Sequence, residues 1–174
     1  MIQEYSRYRI LEVFFDFPRK SLYMREISRK VKIAQPSVIA HLKALEKQGL
    51  IEREKNGLYP TYRANRENQE FKTLKQTNTM LNLNKTGLMD YISNNCLPNS
   101  IVLFGSASKG EDIEESDIDL FVQSKEKKLD LERFEKQLNR KISLFFQEDI
   151  NKLSKELRNN IINGIILKGY LKVF

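Results

Sequence analysis

The sequence predicts an α/β (α+β) protein in two parts: a small helical domain closed by a β-hairpin, then a domain of alternating helices and strands around a mixed sheet. Three observations carry this expectation. The first third holds three amphipathic helical patterns followed by two short extended runs around Asn56-Gly57, a strong hairpin signal. The remainder alternates helical and extended patterns, as α/β domains do. The charge is also divided. Residues 1–66 carry 14 Lys/Arg against 7 Asp/Glu, residues 67–174 carry 16 against 16, so the net +7 sits in the first third. That is the signature of a polyanion-binding module joined to something with other work to do.

The first helix is expected from about Gln3 to Phe15, with Ile10, Val13, Phe14 and Phe17 toward the core and Pro18 ending it. In "SLYMREISRKV", Leu22, Ile27 and Val31 recur at near-helical spacing. In "PSVIAHLKALEKQG", Pro36 suits a first helical turn, Val38, Leu42 and Leu45 form the buried stripe, and Gly49 is a natural C-cap. The run "LIEREKNGLYPTYRAN" then reads strand, turn, strand. Three helices and a hairpin make a winged helix-turn-helix over residues 1–66.

With the apolar stripe of the third helix turned inward, its outer side presents Pro36, Ala40, Lys43, Ala44 and Lys47, flanked by Ser37 and Ile39. Small residues let a helix approach a major groove, and lysines meet phosphates. The candidate DNA-contacting residues are therefore Ser37, Ala40, Lys43 and Lys47, with Arg53, Lys55 and Arg63 from the hairpin. His41 falls at the edge of the buried stripe and reads as a structural histidine. The bland alternative is a set of solvated charges on a protein-binding winged helix.

The segment "MREISRKVKIAQPSVIAHLKALEKQGLIEREKNG" resembles the winged-helix transcription regulators of bacteria and archaea, over about residues 8–65. That resemblance implies double-stranded DNA as a partner. Residues 67–84 are expected to form a connecting helix. Phe71, Leu74, Asn78 and Leu81 alternate spacings of three and four, which fits either a short seam fixing a homodimer or a helix packed on its own domain.

The second domain, residues 85–174, reads helix ("TGLMDYISNNC"), strand (Ser100 to Phe104), Gly-Ser turn, short helix, strand (Ile118 to Gln123), helix ("LDLERFEKQLN"), strand ("KISLFF"). A long final helix would carry Leu153, Leu157, Ile161 and Ile165. Its chemistry is concentrated in "IVLFGSASKGEDIEESDIDLFV". Gly105 permits a tight turn at a strand end. Ser106 would open a helix whose N–H groups attract phosphate oxygens, with Lys109 in reach of the same phosphates. Asp117 and Asp119 are two apart on an extended segment, so both carboxylates leave one face and can share a hard cation such as Mg²⁺.

Gly105-Ser106, Lys109-Gly110 and Ser116-Asp117-x-Asp119 resemble the minimal nucleotidyltransferases of the DNA polymerase beta superfamily, over about residues 88–170. Kanamycin nucleotidyltransferase and the antitoxins paired with HEPN-domain toxins belong there. The resemblance implies transfer of a nucleoside monophosphate from ATP or another NTP, with Mg²⁺. Gly105, Ser106, Lys109, Gly110 and Ser116 would hold the nucleotide, and Asp117 and Asp119 the metal. It extends to a HEPN-type partner protein as a further expectation. The family's third carboxylate, which ligates a second metal and helps deprotonate the attacking group, corresponds here to Ser143 in "RKISLFF". A serine hydroxyl is neutral, a poor Mg²⁺ ligand and no base at neutral pH. Glu148 and Asp149 follow five and six residues later, about 15 Å beyond that slot along a strand.

No apolar run approaches a membrane span, the N-terminus lacks leader features, and the single Cys96 makes no internal disulfide, so a cytoplasmic protein is expected. Three functions fit: a DNA-binding transcription regulator whose second domain binds NTP–Mg²⁺ with impaired catalysis, an active nucleotidyltransferase targeted by its winged helix, or a protein-interaction module that has lost both ligands.

Overall fold

The structure, a computed structural model, describes residues 5–55 and 57–173. The expected helix start at Gln3 and the Asn56 half of the expected turn lie outside the described residues. The chain divides into two compact units, Met1–Lys75 and Gln76–Phe174. Among the described residues, no helix is long and apolar enough to cross a membrane.

In the first unit, α1 (Ser6–Asp16) buries Ile10, Leu11, Val13, Phe14 and Phe15. Two helices follow, α2 (Met24–Val31) and α3 (Gln35–Lys47). The bend between them is made by Lys32 in the left-handed conformation and tied by Ser28, whose hydroxyl donates to the Ile33 carbonyl at 2.7 Å. The buried stripe of α3 is Val38, Leu42 and Leu45, the pattern legible in the sequence. The hairpin is β2 (Ile51–Glu54) against β3 (Thr61–Ala64), antiparallel, with Ile51 opposite Ala64.

One element differs from the sequence reading. Leu22, expected on a helix, lies in a two-residue strand β1 (Leu22–Tyr23) that pairs with β3, giving a three-stranded sheet in the order β1-β3-β2. The helix cannot begin earlier because Glu26 reaches back to accept the Tyr23 N–H at 2.7 Å, fixing Met24 as its first residue.

Helix α4 (Gln69–Lys85) is continuous through the division between units. Phe71, expected on a heptad seam, is buried in the first unit's core with its ring 5.2 Å from that of Phe15, and Leu74 packs against the same core. Leu83, near its other end, is fully buried in the second unit's core. The apolar side of this helix is thus used within the chain at both ends, as a connecting helix packed on its own domains.

The second unit begins with α5 (Leu88–Cys96) and builds a four-stranded mixed sheet from β4 (Ser100–Phe104), β5 (Ile118–Val122), β6 (Ile142–Phe146) and β7 (Ile165–Gly169), in the order β6-β5-β4-β7. β5 and β6 are parallel, joined through α6 (Glu132–Leu138). The β4–β5 and β4–β7 pairs are antiparallel. Alternation along the strands gives the sheet two faces. Ile101, Leu103, Ile118, Leu120, Val122 and Ile142 pack with α5 and α6 residues such as Leu88, Ile92 and Phe134. Val102, Phe104 and Phe121 face the other way, under Ile150 and Ile161.

The long final helix of the sequence reading is corrected. A single helical turn (Ile150–Lys152) and α7 (Lys155–Ile162) carry Leu153, Leu157 and Ile161 onto the second face, but the helix stops at Asn163. Gly164 passes so near β4 that a Cβ on it would stand 2.5 Å from the Leu103 carbonyl oxygen. Only glycine allows that approach, and the chain beyond it becomes β7, with Ile165 opposite Leu103 and packed on the other face.

Candidate functional site

The strand register assembles the site. Phe104 is opposite Asp119 across the antiparallel β4–β5 pair, and Asp119 is beside Ser143 across the parallel β5–β6 pair. Paired residues share a face, so Phe104, Asp119 and Ser143 lie on the face that α7 covers only in part. Asp117, two residues before Asp119, emerges on the same side, and Ser143 donates a hydrogen bond from Oγ to its Oδ2 at 3.1 Å.

Gly105 follows β4 with φ +71, and a Cβ there would overlap Oδ2 of Asp119. The Asp119 carboxylate therefore occupies the space beside the turn that only a glycine leaves open. Its pKa is raised, first by burial and then by the charge of Asp117. Two carboxylates held together, one partly desolvated, form a site that a divalent cation relieves. Asp117 and Asp119 fit one Mg²⁺ as ligands. The third position beside them is filled by a neutral hydroxyl. Among the described residues, no group of three or more His, Cys, Asp or Glu could hold a metal.

The Gly-Ser segment differs from expectation. Ser106 does not open an α-helix; Ala107–Lys109 form one 3-10 turn closed by Gly110, whose N–H donates to the Ala107 carbonyl. The Ser106 carbonyl accepts from the N–H groups of Lys109 and Glu111, and the Ser108 hydroxyl donates to the Gly105 carbonyl at 2.8 Å. The segment expected to face phosphate is thus a tight 3-10 turn, without the dipole of a full α-helix. The Lys109 side chain is exposed. Ser116 serves the loop itself, its hydroxyl accepting the Ile113 N–H at 2.9 Å.

The loop leading to Asp117 is held by a residue that sequence reading missed. Arg140, between α6 and β6, donates from Nε to the Ser116 carbonyl at 2.6 Å and pairs through NH1 with Oδ2 of Asp112 at 2.8 Å. Asp112 is 2% exposed, whereas Glu111 and Glu115 around it face solvent. In "EDIEESD" nothing in the residue types distinguishes the one buried acid from its solvated neighbours, and Arg140 belongs to a strand entrance that carried no other signal.

Glu148 and Asp149 do not replace the missing carboxylate. The Glu148 carbonyl accepts from Nε2 of Gln123, which lies past the C-terminal end of β5, the end opposite Asp117. Asp149 caps the following turn, accepting the Asn151 N–H at 2.9 Å.

In the first unit, Ala40, Lys43 and Lys47 are exposed on one side of α3, and Ser37 is half-buried near its start. His41 is half-buried at the stripe edge and lines a cavity of about 560 Å³ with Leu11, Leu45, Leu50 and Leu74. The hairpin candidates are not presented on one face. Arg53 is opposite Tyr62 and Arg63 opposite Glu52, so they belong to opposite faces of the hairpin, while Lys55 is exposed just beyond β2. Arg63 is engaged within the wing: its NH2 group lies 2.7 Å from Glu52 Oε2 and its Nε 3.1 Å from Glu54 Oε1.

Comparison with known families divides the chain along the same lines. Residues 87–171 match the family described as Polymerase beta, Nucleotidyltransferase. Residues 6–53 match the family described as Bacterial regulatory protein, arsR family. No curated protein and no solved structure matches the chain.

Proposed function

We propose that this chain, which joins an arsR-type DNA-binding helix-turn-helix to a polymerase beta-type nucleotidyltransferase domain, is a regulator whose second domain binds NTP–Mg²⁺ and transfers slowly. The observation that carries the reading is the pairing of Ser143 with Asp119 in register and with Asp117 by hydrogen bond. Asp117 and Asp119 would hold one Mg²⁺, which would supply positive charge to offset that of a triphosphate. Ser143, a neutral hydroxyl donor, would supply neither a ligand charge for a second cation nor a base for the attacking group. General-base assistance alone is worth about 10²–10⁴ in rate.

Slow turnover turns a transferase site into a binding site. Nucleotide occupancy then alters DNA binding only if it favours one of two states of the protein. Gel-shift titration of a DNA fragment with and without ATP–Mg²⁺ tests this, and equal affinity in both conditions would end the sensing idea.

A second reading is favoured by the intact half of the site, Gly105 with Asp117 and Asp119. Here the domain is an active transferase that uses an acceptor's own geometry in place of the third carboxylate, with the winged helix for targeting. Labelled NTP incubated with candidate acceptors separates the two: label dependent on Asp117 supports transfer, and its absence supports binding alone.

A further inference from the structure

We propose that Phe145 is a stacking platform for the base of the nucleotide held at Asp117 and Asp119, an inference that rests on the nucleotide-binding reading above. Of the described phenylalanines only Phe145 is exposed, at 41%. A lone exposed apolar residue is ordinary on a protein surface, so its position must carry the argument. Phe145 is two residues beyond Ser143 on β6 and opposite Phe121 on β5. It therefore lies on the same sheet face as Asp119 and Ser143, roughly 7 Å along the strand from Ser143.

A buried ring on the same sheet face packs against that of Phe145. Phe104, 5% exposed and the last residue before Gly105, meets it in a T-shaped contact with centroids 5.5 Å apart and planes at 72°. The turn at Gly105, the carboxylates and the exposed ring thus follow one another across the adjacent strands β4, β5 and β6, spaced about 4.8 Å apart. A nucleoside triphosphate laid across these strands puts phosphates at the glycine turn, its α-phosphate at the carboxylates and its base over β6. Every base has a π-face that stacks on an aromatic ring, so the platform favours a nucleotide without choosing which one.

The experiment compares Mg²⁺-dependent binding of ATP with that of inorganic tripolyphosphate, which has the phosphates but no base. Phe145→Ala should weaken ATP binding about 5–100-fold and leave tripolyphosphate unchanged, while Phe145→Tyr should keep ATP affinity within about threefold of wild type. The chain contains no tryptophan, so Phe145→Trp adds a single indole whose fluorescence ATP should quench and tripolyphosphate should not. Circular dichroism identifies any variant that fails to fold, and the Trp variant serves if Phe145→Ala does. Unchanged ATP affinity in Phe145→Ala, equal weakening of both ligands, or an indole indifferent to ATP overturns the platform while the site stands. Wild-type protein that binds neither ligand overturns both.

Discussion

The Ser143 hydroxyl donates to Oδ2 of Asp117 at 3.1 Å, from the strand position in register with Asp119. Where the family's resemblance leads one to expect a third negative charge, this chain has a hydrogen-bond donor. The consequence is electrostatic. Three carboxylates call for two cations, whereas two carboxylates, one of them hydrogen-bonded by a hydroxyl, call for one. Ser143→Asp should therefore raise the midpoint of thermal unfolding more steeply with added Mg²⁺ than wild type does, and lower it in chelator, where like charges repel. If transfer activity is limited by the missing base, the same variant should gain about 10²–10⁴ in rate. Label transfer at saturating Mg²⁺ measures it.

Asp119 supplies a pH test. Burial and then Asp117 raise its pKa in the fold. An acid whose folded value exceeds its unfolded one holds its proton more tightly when folded. It costs the fold nothing below the ordinary aspartate range and destabilises it as pH rises through the folded value. Asp119→Asn should thus stabilise the metal-free protein at neutral pH, with the advantage vanishing at acid pH. Added Mg²⁺ should reverse the order by stabilising only wild type. Urea unfolding across pH, in chelator and in Mg²⁺, reads both effects.

Gly105→Ala combines a left-handed backbone with overlap on the Asp119 carboxylate. A loss of about 1–3 kcal/mol is expected, together with a weaker response of the melting midpoint to Mg²⁺. Gly110→Ala, in a comparable left-handed position that closes the same turn, is the control: it should cost stability and leave the Mg²⁺ response intact.

Much of this site is legible in the residues alone. Asp-x-Asp in an apolar run can only put both carboxylates on one face of a strand, and a Gly-Ser after another run marks a strand end. Ser143 is placed beside them by the family resemblance, and the register of β5 against β6 that pairs it with Asp119 is supplied by the fold. The rest depends on tertiary contact. Nothing in "NIINGIILKGYL" says that Gly164 must pass against the Leu103 carbonyl, so its helical spacing runs on through what is a strand. Leu22 fits helical spacing as well as it fits β1, and the decision lies with Glu26 capping at Tyr23. Asp112 and Arg140 need burial to be noticed at all, and Arg63 needs Glu52 to be discounted.

Arg140 is expected to hold the Asp117 loop. Its pair with Asp112 is mostly buried, the side chains being 18% and 2% exposed. Removing one member of a buried pair leaves an uncompensated charge, so Arg140→Met should destabilise by about 2–4 kcal/mol. Asp112→Asn combined with Arg140→Met should recover part of that loss. Chemical denaturation of the single and double variants checks it.

For the first unit, the exposed lysines of α3 are expected to meet phosphates. Lys43→Ala with Lys47→Ala should lower DNA affinity and reduce the slope of log affinity against log salt by about 0.9 for each phosphate no longer neutralised. Arg63→Ala should leave that slope unchanged, because its guanidinium is engaged by Glu52 and Glu54. Fluorescence anisotropy with a labelled duplex over a salt series distinguishes them. An equal reduction by Arg63→Ala would show that the wing pairing gives way on DNA.

Calorimetric titration of ATP, run in Mg²⁺ and in chelator on wild type and on Asp119→Asn, reads the metal-dependent nucleotide site itself. One nucleotide per chain is expected in Mg²⁺, with binding weakened at least tenfold by chelator and by the substitution alike. Wild-type binding that is absent, or that is as tight without Mg²⁺ and without the Asp119 carboxylate, would contradict it.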